Sequence, residues 1–260
     1  MKQAGGWLWR VSLANLVFLY APIAVLILFS FNASRLSATW QGWTWQWYRA
    51  LWVNQALLDA TANSLWVAAV STVLALFLGV GLAVGLEGLP GRRQRQIEQA
   101  MLLPLVIPEV MMGVSLLLFF VLLHIPLSLV TVMIGHALFN VPVVMIIVRA
   151  RLKKLDPRLL EVAADLGATY WDTLRHVMIP LLRPAILGAG LMAFTISLDD
   201  FIVTYFTAGP GATTLPLKVY SMIKSGMSPE INALSALFVM GMMRWLLHTA
   251  TSHSRQEDAS

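Results

Sequence analysis

Residues 63–86 read NSLWVAAVSTVLALFLGVGLAVGL and contain no Asp, Glu, Lys or Arg. An α-helix needs about 20 consecutive apolar residues to cross the hydrocarbon core of a lipid bilayer. This stretch is therefore long enough to form one membrane-spanning helix. Comparable apolar blocks occupy residues 11–31, 100–123, 126–148, 184–206 and 231–247.

The composition of the whole chain agrees with lipid as its solvent. Of the 260 residues, 58% are hydrophobic and only 12% are charged, whereas soluble domains carry about 25% charged residues. We therefore predict an all-α membrane protein with six transmembrane helices. The sixth block is short and Arg244 interrupts it near its end, but an arginine at a helix end can reach the lipid headgroups.

The first block has a second interpretation, as a cleaved signal peptide, because Lys2 and Arg10 precede it. The apolar regions of signal peptides run about 7–15 residues, which is shorter than the block at 11–31. We expect a retained first helix. The chain has no cysteine, which excludes disulfides, thiolate chemistry and Cys-ligated metals, and we expect no metal site.

The Lys and Arg residues lie unevenly on the two sides of the predicted spans. With the N-terminus in the cytoplasm, four of the 18 fall in outside loops and the other 14 fall in inside segments. Cytoplasmic loops carry an excess of Lys and Arg, so we expect both termini to be cytoplasmic. The net charge of +5 then reflects membrane topology, and no nucleic-acid partner is needed. The four outside positions are Arg35, Arg49, Lys218 and Lys224.

The chain divides into four predicted parts. They are an N-terminal transmembrane helix at 1–31, an outside loop at 32–62, a core of five transmembrane helices at 63–250, and a cytoplasmic tail at 251–260. The outside loop is rich in tryptophan, which favours an interfacial aromatic belt and is also compatible with a docking surface for an external partner. Its aromatic residues include Trp40, Trp43, Trp45, Trp47, Tyr48 and Trp52.

The inside loop at 149–183 is long and patterned. Asp156 followed by Pro157 is typical of a helix start, and a short amphipathic helix should follow. Gly167 permits a sharp turn, and a second helical stretch should begin at Tyr170. The residues alone predict a helix–glycine–helix element, either exposed in the cytoplasm or lying on the membrane. Its apolar face comprises Leu159, Val162, Ala163 and Leu166.

This loop resembles the EAA motif of ABC-importer permeases, which runs Glu-Ala-Ala, three residues, Gly, nine residues and Ile-x-Leu-Pro. The spacing matches throughout, from Glu161 through Gly167 to Pro180. Three positions depart from the motif, each by exchange of one small or aliphatic residue for another: Val162, Val177 and Ile179.

The resemblance implies that the loop is a coupling helix that docks on a separate cytoplasmic ATPase subunit. The chain has no G-x-x-x-x-G-K-[ST] phosphate loop. We therefore expect that it is not an enzyme, that it holds no cofactor, and that ATP and magnesium bind in the partner ATPase. The implied coupling residues are Glu161, Ala163, Ala164, Gly167 and Pro180.

Three carboxylates lie inside predicted spans: Glu109, Asp199 and Asp200. Each costs roughly 2.5–3.5 kcal/mol at a helix centre and normally faces a protein interior or an aqueous path. A structural alternative is pairing with a neighbouring subunit, or a position near the outer interface. No Lys or Arg lies in the same spans, so a cationic substrate would supply the missing charge. Phe201 and Tyr205 could add cation–π contacts.

Further stretches narrow the resemblance to the polyamine permeases for spermidine and putrescine. They are Tyr20-Ala21-Pro22, residues 30–35, Pro108-Glu109, residues 197–200, residues 209–216 and residues 228–234. The resemblance implies a type I ABC-importer permease in a bacterial inner membrane. It also implies four partners: a second related permease, an ATPase dimer, a periplasmic binding protein and the polyamine itself. The implied substrate-path residues are Asp199, Asp200, Glu109, Tyr205 and Phe201.

Other functions stay open. The cargo of such an importer could instead be an amino acid, an opine, a sugar or a metal ion, and a secondary transporter or channel is an alternative of another class. A membrane-embedded enzyme is disfavoured, because G-x-S-x-G is absent and the histidines show no metalloprotease spacing. We interpret the five histidines as lone, interfacial residues: His124, His136, His176, His248 and His253.

Overall fold

The computed structural model describes residues 3–34, 39–156, 158–225 and 229–257. These ranges are largely helical, and the predictions that involve Lys2, Arg35, Pro157 and Ser228 lie outside them. The α-helices are α1 (Gln3–Phe29), α2 (Gln46–Val53), α3 (Gln55–Gly85), α4 (Gly91–Val106), α5 (Glu109–Leu122), α6 (Leu129–Leu152), α7 (Arg158–Asp165), α8 (Tyr170–Thr173), α9 (Ile179–Asp199), α10 (Ile202–Thr207), α11 (Leu215–Lys224) and α12 (Pro229–Glu257). A 3₁₀ turn, Leu86–Gly88, follows α3, and a π-helical turn, Leu174–Met178, joins α8 to α9.

Four stretches of the described chain are long and apolar enough to cross a membrane: Trp9–Phe29, Gln55–Gly88, Leu129–Leu152 and Tyr170–Asp199. A fifth span results if α4 and α5 are counted as one bent unit. The sixth predicted span, 231–247, lies within α12, and several side chains of this helix lie outside the described part of the chain. The all-α membrane fold is confirmed, and the count of six spans stays a prediction.

Two predicted spans are interrupted. Block 100–123 forms two helices that meet at an angle of 100°, because Ile107 precedes a proline and adopts an extended conformation with ψ 132°. Block 184–206 stops being helical at Asp200, whose ψ is 124°, and resumes in α10. Continuous helices were the wrong expectation at both places.

The chain forms two compact units, one of which joins residues up to Leu58 with those from Val219 onward. In this unit the outside loop is organised around Asn32, which is fully buried. Its Oδ1 accepts hydrogen bonds from the backbone N–H groups of Ser34 (3.2 Å) and Gln41 (2.9 Å), and its Nδ2 donates to the Thr39 carbonyl (2.8 Å). Several tryptophans remain exposed around this core: Trp40, Trp43, Trp45 and Trp52.

The second unit, Asp59–Lys218, contains the helical core. Helices α3, α6 and α9 pack closely because glycines make room for aliphatic side chains of the facing helix, Gly79 for Val144 and Gly190 for Leu76. A Cβ atom on Gly79 would lie 2.7 Å from the Cβ of Val144. Helix α10 is wedged against α5 and α6 in the same way, with Phe206 over Gly113 and Val203 over Gly135.

An ion cluster closes the predicted cytoplasmic end of this core. The Arg149 side chain is only 4% exposed and lies 3.6 Å from Glu87 and 3.7 Å from Glu98. Glu98 also lies 3.8 Å from the exposed Lys153. The cluster therefore ties the end of α6 to the turn after α3 and to α4.

Candidate functional site

The break between α9 and α10 is the feature around which the site is built. Residues Asp200 and Phe201 lie between the two helices, and the Asp200 carboxylate caps α10. Its Oδ2 accepts the Thr204 N–H at 2.8 Å and its Oδ1 accepts the Val203 N–H at 3.4 Å. Non-helical backbone at membrane depth is tolerated only where protein or an aqueous cavity surrounds it. Both conditions hold here, because the Asp200 side chain is only 8% exposed and the break lines a pocket.

This pocket has a volume of about 620 Å³. The bend between α4 and α5 and the break between α9 and α10 both open onto it. Four of the five predicted substrate-path residues belong to its lining: Glu109, Asp199, Asp200 and Phe201. The structure thus brings together three carboxylates and an aromatic ring from segments that are 90 residues apart in sequence.

The fifth predicted residue, Tyr205, is not part of the lining. Its ring is 56% exposed and packs between Phe201 and Phe206, with centroid distances of 5.7 and 5.4 Å. Tyr205 therefore contacts the Phe201 ring, and its direct contact with substrate stays a prediction.

The three carboxylates are not equivalent. Glu109 and Asp199 are exposed to the pocket, and neither forms a hydrogen bond or an ion pair within the described ranges. Asp200 is instead engaged by the cap of α10 and by His136, whose Nε2 lies 3.1 Å from Asp200 Oδ2. The two available carboxylates are therefore the ones that a cation in the pocket would meet first. In the described ranges no three metal-binding side chains are grouped as a metal site would require.

His136 is a residue that the sequence analysis misjudged. It was interpreted as a lone interfacial histidine, but it lies in the N-terminal half of α6, two turns from the start of the helix, and is 1% exposed. Its Nδ1 contacts Ser197 Oγ at 2.6 Å and its Nε2 contacts Thr204 Oγ1 at 2.9 Å. The signal in the sequence was its position ten residues into an apolar block, since an ionisable side chain at that depth needs partners.

The EAA-like loop forms the predicted helix–glycine–helix element. Asp156 Oδ1 accepts the N–H of Arg158 at 3.0 Å, which caps α7 as expected. Helix α7 ends at Asp165. Gly167 follows it with a φ of +80°, and the Ala168 N–H donates to the Ala163 carbonyl at 3.0 Å, as in a Schellman motif. A capping box between Thr169 and Asp172 then starts α8 at Tyr170, where the second helix was predicted.

The apolar side chains of this loop are largely exposed. Val162 is 54% exposed and Leu166 82%, although both were placed on the apolar face of the helix. Glu161, Gly167 and Pro180 are also exposed. Ala163 is 8% exposed, and the side chain of Ala164 lies outside the described part of the chain. Two aromatic side chains at the start of α8 extend the exposed apolar surface: Tyr170 and Trp171.

Comparison with known proteins finds relatives over most of the chain. It is 40% identical to the spermidine/putrescine transport system permease protein PotC of Escherichia coli K12 over 223 residues, 86% of this chain and 84% of PotC. It is 37% identical to the putrescine transport system permease protein PotI of the same strain over 265 residues, covering 96% of this chain and 94% of PotI.

Solved structures show the same fold. A bacterial ABC transporter involved in import of the acidic polysaccharide alginate aligns with a TM-score of 0.77 at 16% identity, covering 98% of this chain and 95% of that one. The MetNI methionine ABC transporter aligns with a TM-score of 0.61 at 18% identity, covering 79% and 95%. The family described as "Binding-protein-dependent transport system inner membrane component" matches residues 75–252. That match spans the pocket, the interrupted helices and the EAA-like loop, so the chain belongs to this family of inner membrane transport components.

Proposed function

We propose that this chain is the permease subunit of an ATP-driven importer for polyamines such as putrescine and spermidine. The observation that carries the proposal is the pocket in which Glu109, Asp199 and Asp200 converge with Phe201. Alkylammonium groups are stabilised by carboxylates and by aromatic faces. The identity of 37–40% to permeases named for spermidine and putrescine supports the same cargo.

The exposed EAA-like loop supports coupling to a separate ATPase. A helix that presents Val162 and Leu166 to solvent has an apolar face available for a cleft on a partner. Because α7 ends in a Schellman motif and α8 begins in a capping box, the loop has the defined geometry that a lever requires. ATP and magnesium would bind in an ATPase dimer, and this chain would provide half of the pore beside a second permease.

The proposal includes an orientation of the chain in the membrane. Both termini and the EAA-like loop would be cytoplasmic, as the distribution of Lys and Arg favours. The outside loop with its exposed tryptophans would then face the periplasm, where a binding protein delivers the polyamine. A reporter fused to either terminus would test this orientation.

The test of function is transport by the complete importer in proteoliposomes, with labelled putrescine and spermidine. We expect ATP-dependent uptake that falls about tenfold in Asp199→Asn and in Glu109→Gln, because each change removes one charge-assisted hydrogen bond to an ammonium group. The control Asp199→Glu keeps the charge and should retain most uptake. Equal uptake by all four proteins would overturn the assignment of the pocket.

The same preparation separates the other functions. Uptake by this chain alone, without ATP, would favour a secondary transporter or channel. A different cargo would be indicated if uptake were inhibited by an amino acid, an opine, a sugar or a divalent metal ion but not by spermidine. The chain would then still be part of an importer.

A further inference from the structure

A network of polar side chains runs beside the pocket and meets its lining at Asp200. His136 on α6 is at its centre, with Asp200 and Thr204 on its Nε2 side at 3.1 and 2.9 Å. On its Nδ1 side stands Ser197 of α9 at 2.6 Å, and Ser197 contacts Ser71 of α3 at 3.0 Å. These polar side chains thus connect three core helices, α3, α6 and α9, to the break between α9 and α10. The carboxylates proposed to bind substrate lie at this break.

Every member of this network can be satisfied in either charge state of the ring. With neutral imidazole, Nε2–H donates toward Asp200 and Thr204, while Nδ1 accepts the Ser197 hydroxyl. With imidazolium, Nδ1–H donates to Ser197, Ser197 donates to Ser71, and Ser71 donates to the Ala68 carbonyl at 3.3 Å. In the imidazolium and in the neutral Nε2–H tautomer the Nε2–H points at the Asp200 carboxylate, so both of these forms of the ring donate to it.

We propose that His136 is a positioning residue for transport: it fixes Asp200 as the cap of α10 and so sets where Asp199 presents its carboxylate in the pocket. The identity of the transported cation rests on the function proposed above, but the positioning does not. By this assignment Asp200 organises the site, and Asp199 and Glu109 meet the substrate.

The geometry of α10 explains why such a device is needed. A six-residue helix has almost no stability of its own, and α10 (Ile202–Thr207) depends on its cap and on its packing. Asp199 is the last residue of α9 and directly precedes the capping carboxylate. A change in the contacts that fix the Asp200 side chain therefore also shifts Asp199, because a single peptide unit joins the two residues.

Two variants separate positioning from simple structural support. The amide of His136→Gln reaches approximately the place of Nε2 and can still donate to Asp200. The amide of His136→Asn reaches only the place of Nδ1, so it keeps the hydrogen bond to Ser197 and loses the one to Asp200. Ser71→Ala, at the far end of the polar network, is the matched control because it leaves all ring contacts intact.

The first readout is polyamine imported per ATP hydrolysed, in the complete importer. We expect His136→Asn to lower this ratio about tenfold, the effect of losing a hydrogen bond to a charged group, while the ATPase rate changes by less than about twofold. His136→Gln should restore the ratio, and Ser71→Ala should leave it unchanged. A parallel fall of uptake and ATPase, or equal damage by Gln and Asn, would overturn the proposal.

The second readout does not depend on the substrate. Because the chain has no cysteine, Asp199→Cys introduces a single thiol into it, whose reaction with a charged methanethiosulfonate reports how position 199 faces the pocket. Adding His136→Asn should change this rate by about threefold or more, and adding His136→Gln should not. An unchanged rate with Asn would refute the positioning role.

The two readouts distinguish the two proposals. If the unaltered importer takes up no polyamine but the thiol rates change as expected, the proposed cargo is refuted. The positioning role of His136 is then supported. If His136→Asn fails to assemble, Thr204→Val tests the hold on Asp200 at nearly constant shape, because it removes the hydroxyl that donates to Asp200 Oδ2 at 2.9 Å and contacts Nε2. It should shift the thiol rate in the same direction, and an unchanged rate would refute the positioning of Asp199 through Asp200.

Discussion

The burial of Arg149 predicts which of two changes in the ion cluster lowers the stability of the protein more. Its guanidinium is 4% exposed, whereas its partners Glu87 and Glu98 are 42% and 32% exposed. Arg149→Leu leaves two carboxylates that can regain water, and half-exposed pairs contribute about 1 kcal/mol or less. The double change of Glu87→Gln and Glu98→Gln leaves a buried cation without a counter-charge, which costs about 3 kcal/mol or more.

The assay is the apparent melting temperature of the purified protein in detergent. It is measured as the fraction of protein that remains monodisperse after heating. A domain of this size loses about 2–4 °C per kcal/mol, so the double glutamine variant should melt roughly 10 °C lower and Arg149→Leu only a few degrees lower. Lys153→Met is the control, because Lys153 is 60% exposed and should contribute almost nothing. A larger drop for Arg149→Leu than for the double variant would refute the reasoning.

Three further changes have defined outcomes. Gly209→Ala should sharply lower the yield of folded protein in size-exclusion chromatography, because its Cβ would collide with the Leu127 carbonyl oxygen, whereas Gly211→Asn, at φ +77° with open space, should not. Gly167→Val should reduce ATP-driven uptake while Gly167→Asn retains it, because a β-branched residue at φ +80° costs about 1–2 kcal/mol and asparagine adopts this conformation readily. Asn32→Ala should accelerate proteolysis of the outside loop in intact spheroplasts, because it removes three side-chain hydrogen bonds that contribute about 1 kcal/mol each.

The parts of the fold that the sequence predicted are those governed by local rules. Apolar blocks identify helices because only a helix satisfies its own backbone in lipid. The start of α8 at Tyr170 and the turn at Gly167 follow from capping chemistry that is visible in a few adjacent residues. The bend at Pro108 was also accessible, since a residue before proline avoids the helical region, but the hydropathy of block 100–123 concealed it.

The parts that were missed depend on contacts between distant segments. Asp200 was counted among three equivalent carboxylates, and only the structure separates it from Asp199 by giving it the α10 cap and His136. His136 was judged by its type and by the absence of a metal-binding spacing. Its partners come from 61 and 68 residues further along the chain, and no pattern in a single sequence links them.

The interrupted helices have one more consequence for the pocket. Helix α4 ends directly before the lining residue Ile107, and α9 ends at the lining residue Asp199. The last carbonyls of a helix have no partners inside that helix. Each such end carries the equivalent of roughly half a negative charge from the aligned peptide dipoles. Helices α5 and α10 begin at the same wall, at Glu109 and Ile202, and their N-terminal ends carry the opposite partial charge. The main-chain contributions therefore offset one another, and the charge of the pocket depends on its carboxylates. Variants that neutralise every carboxylate should therefore lose any selection of cations over anions in the uptake assay.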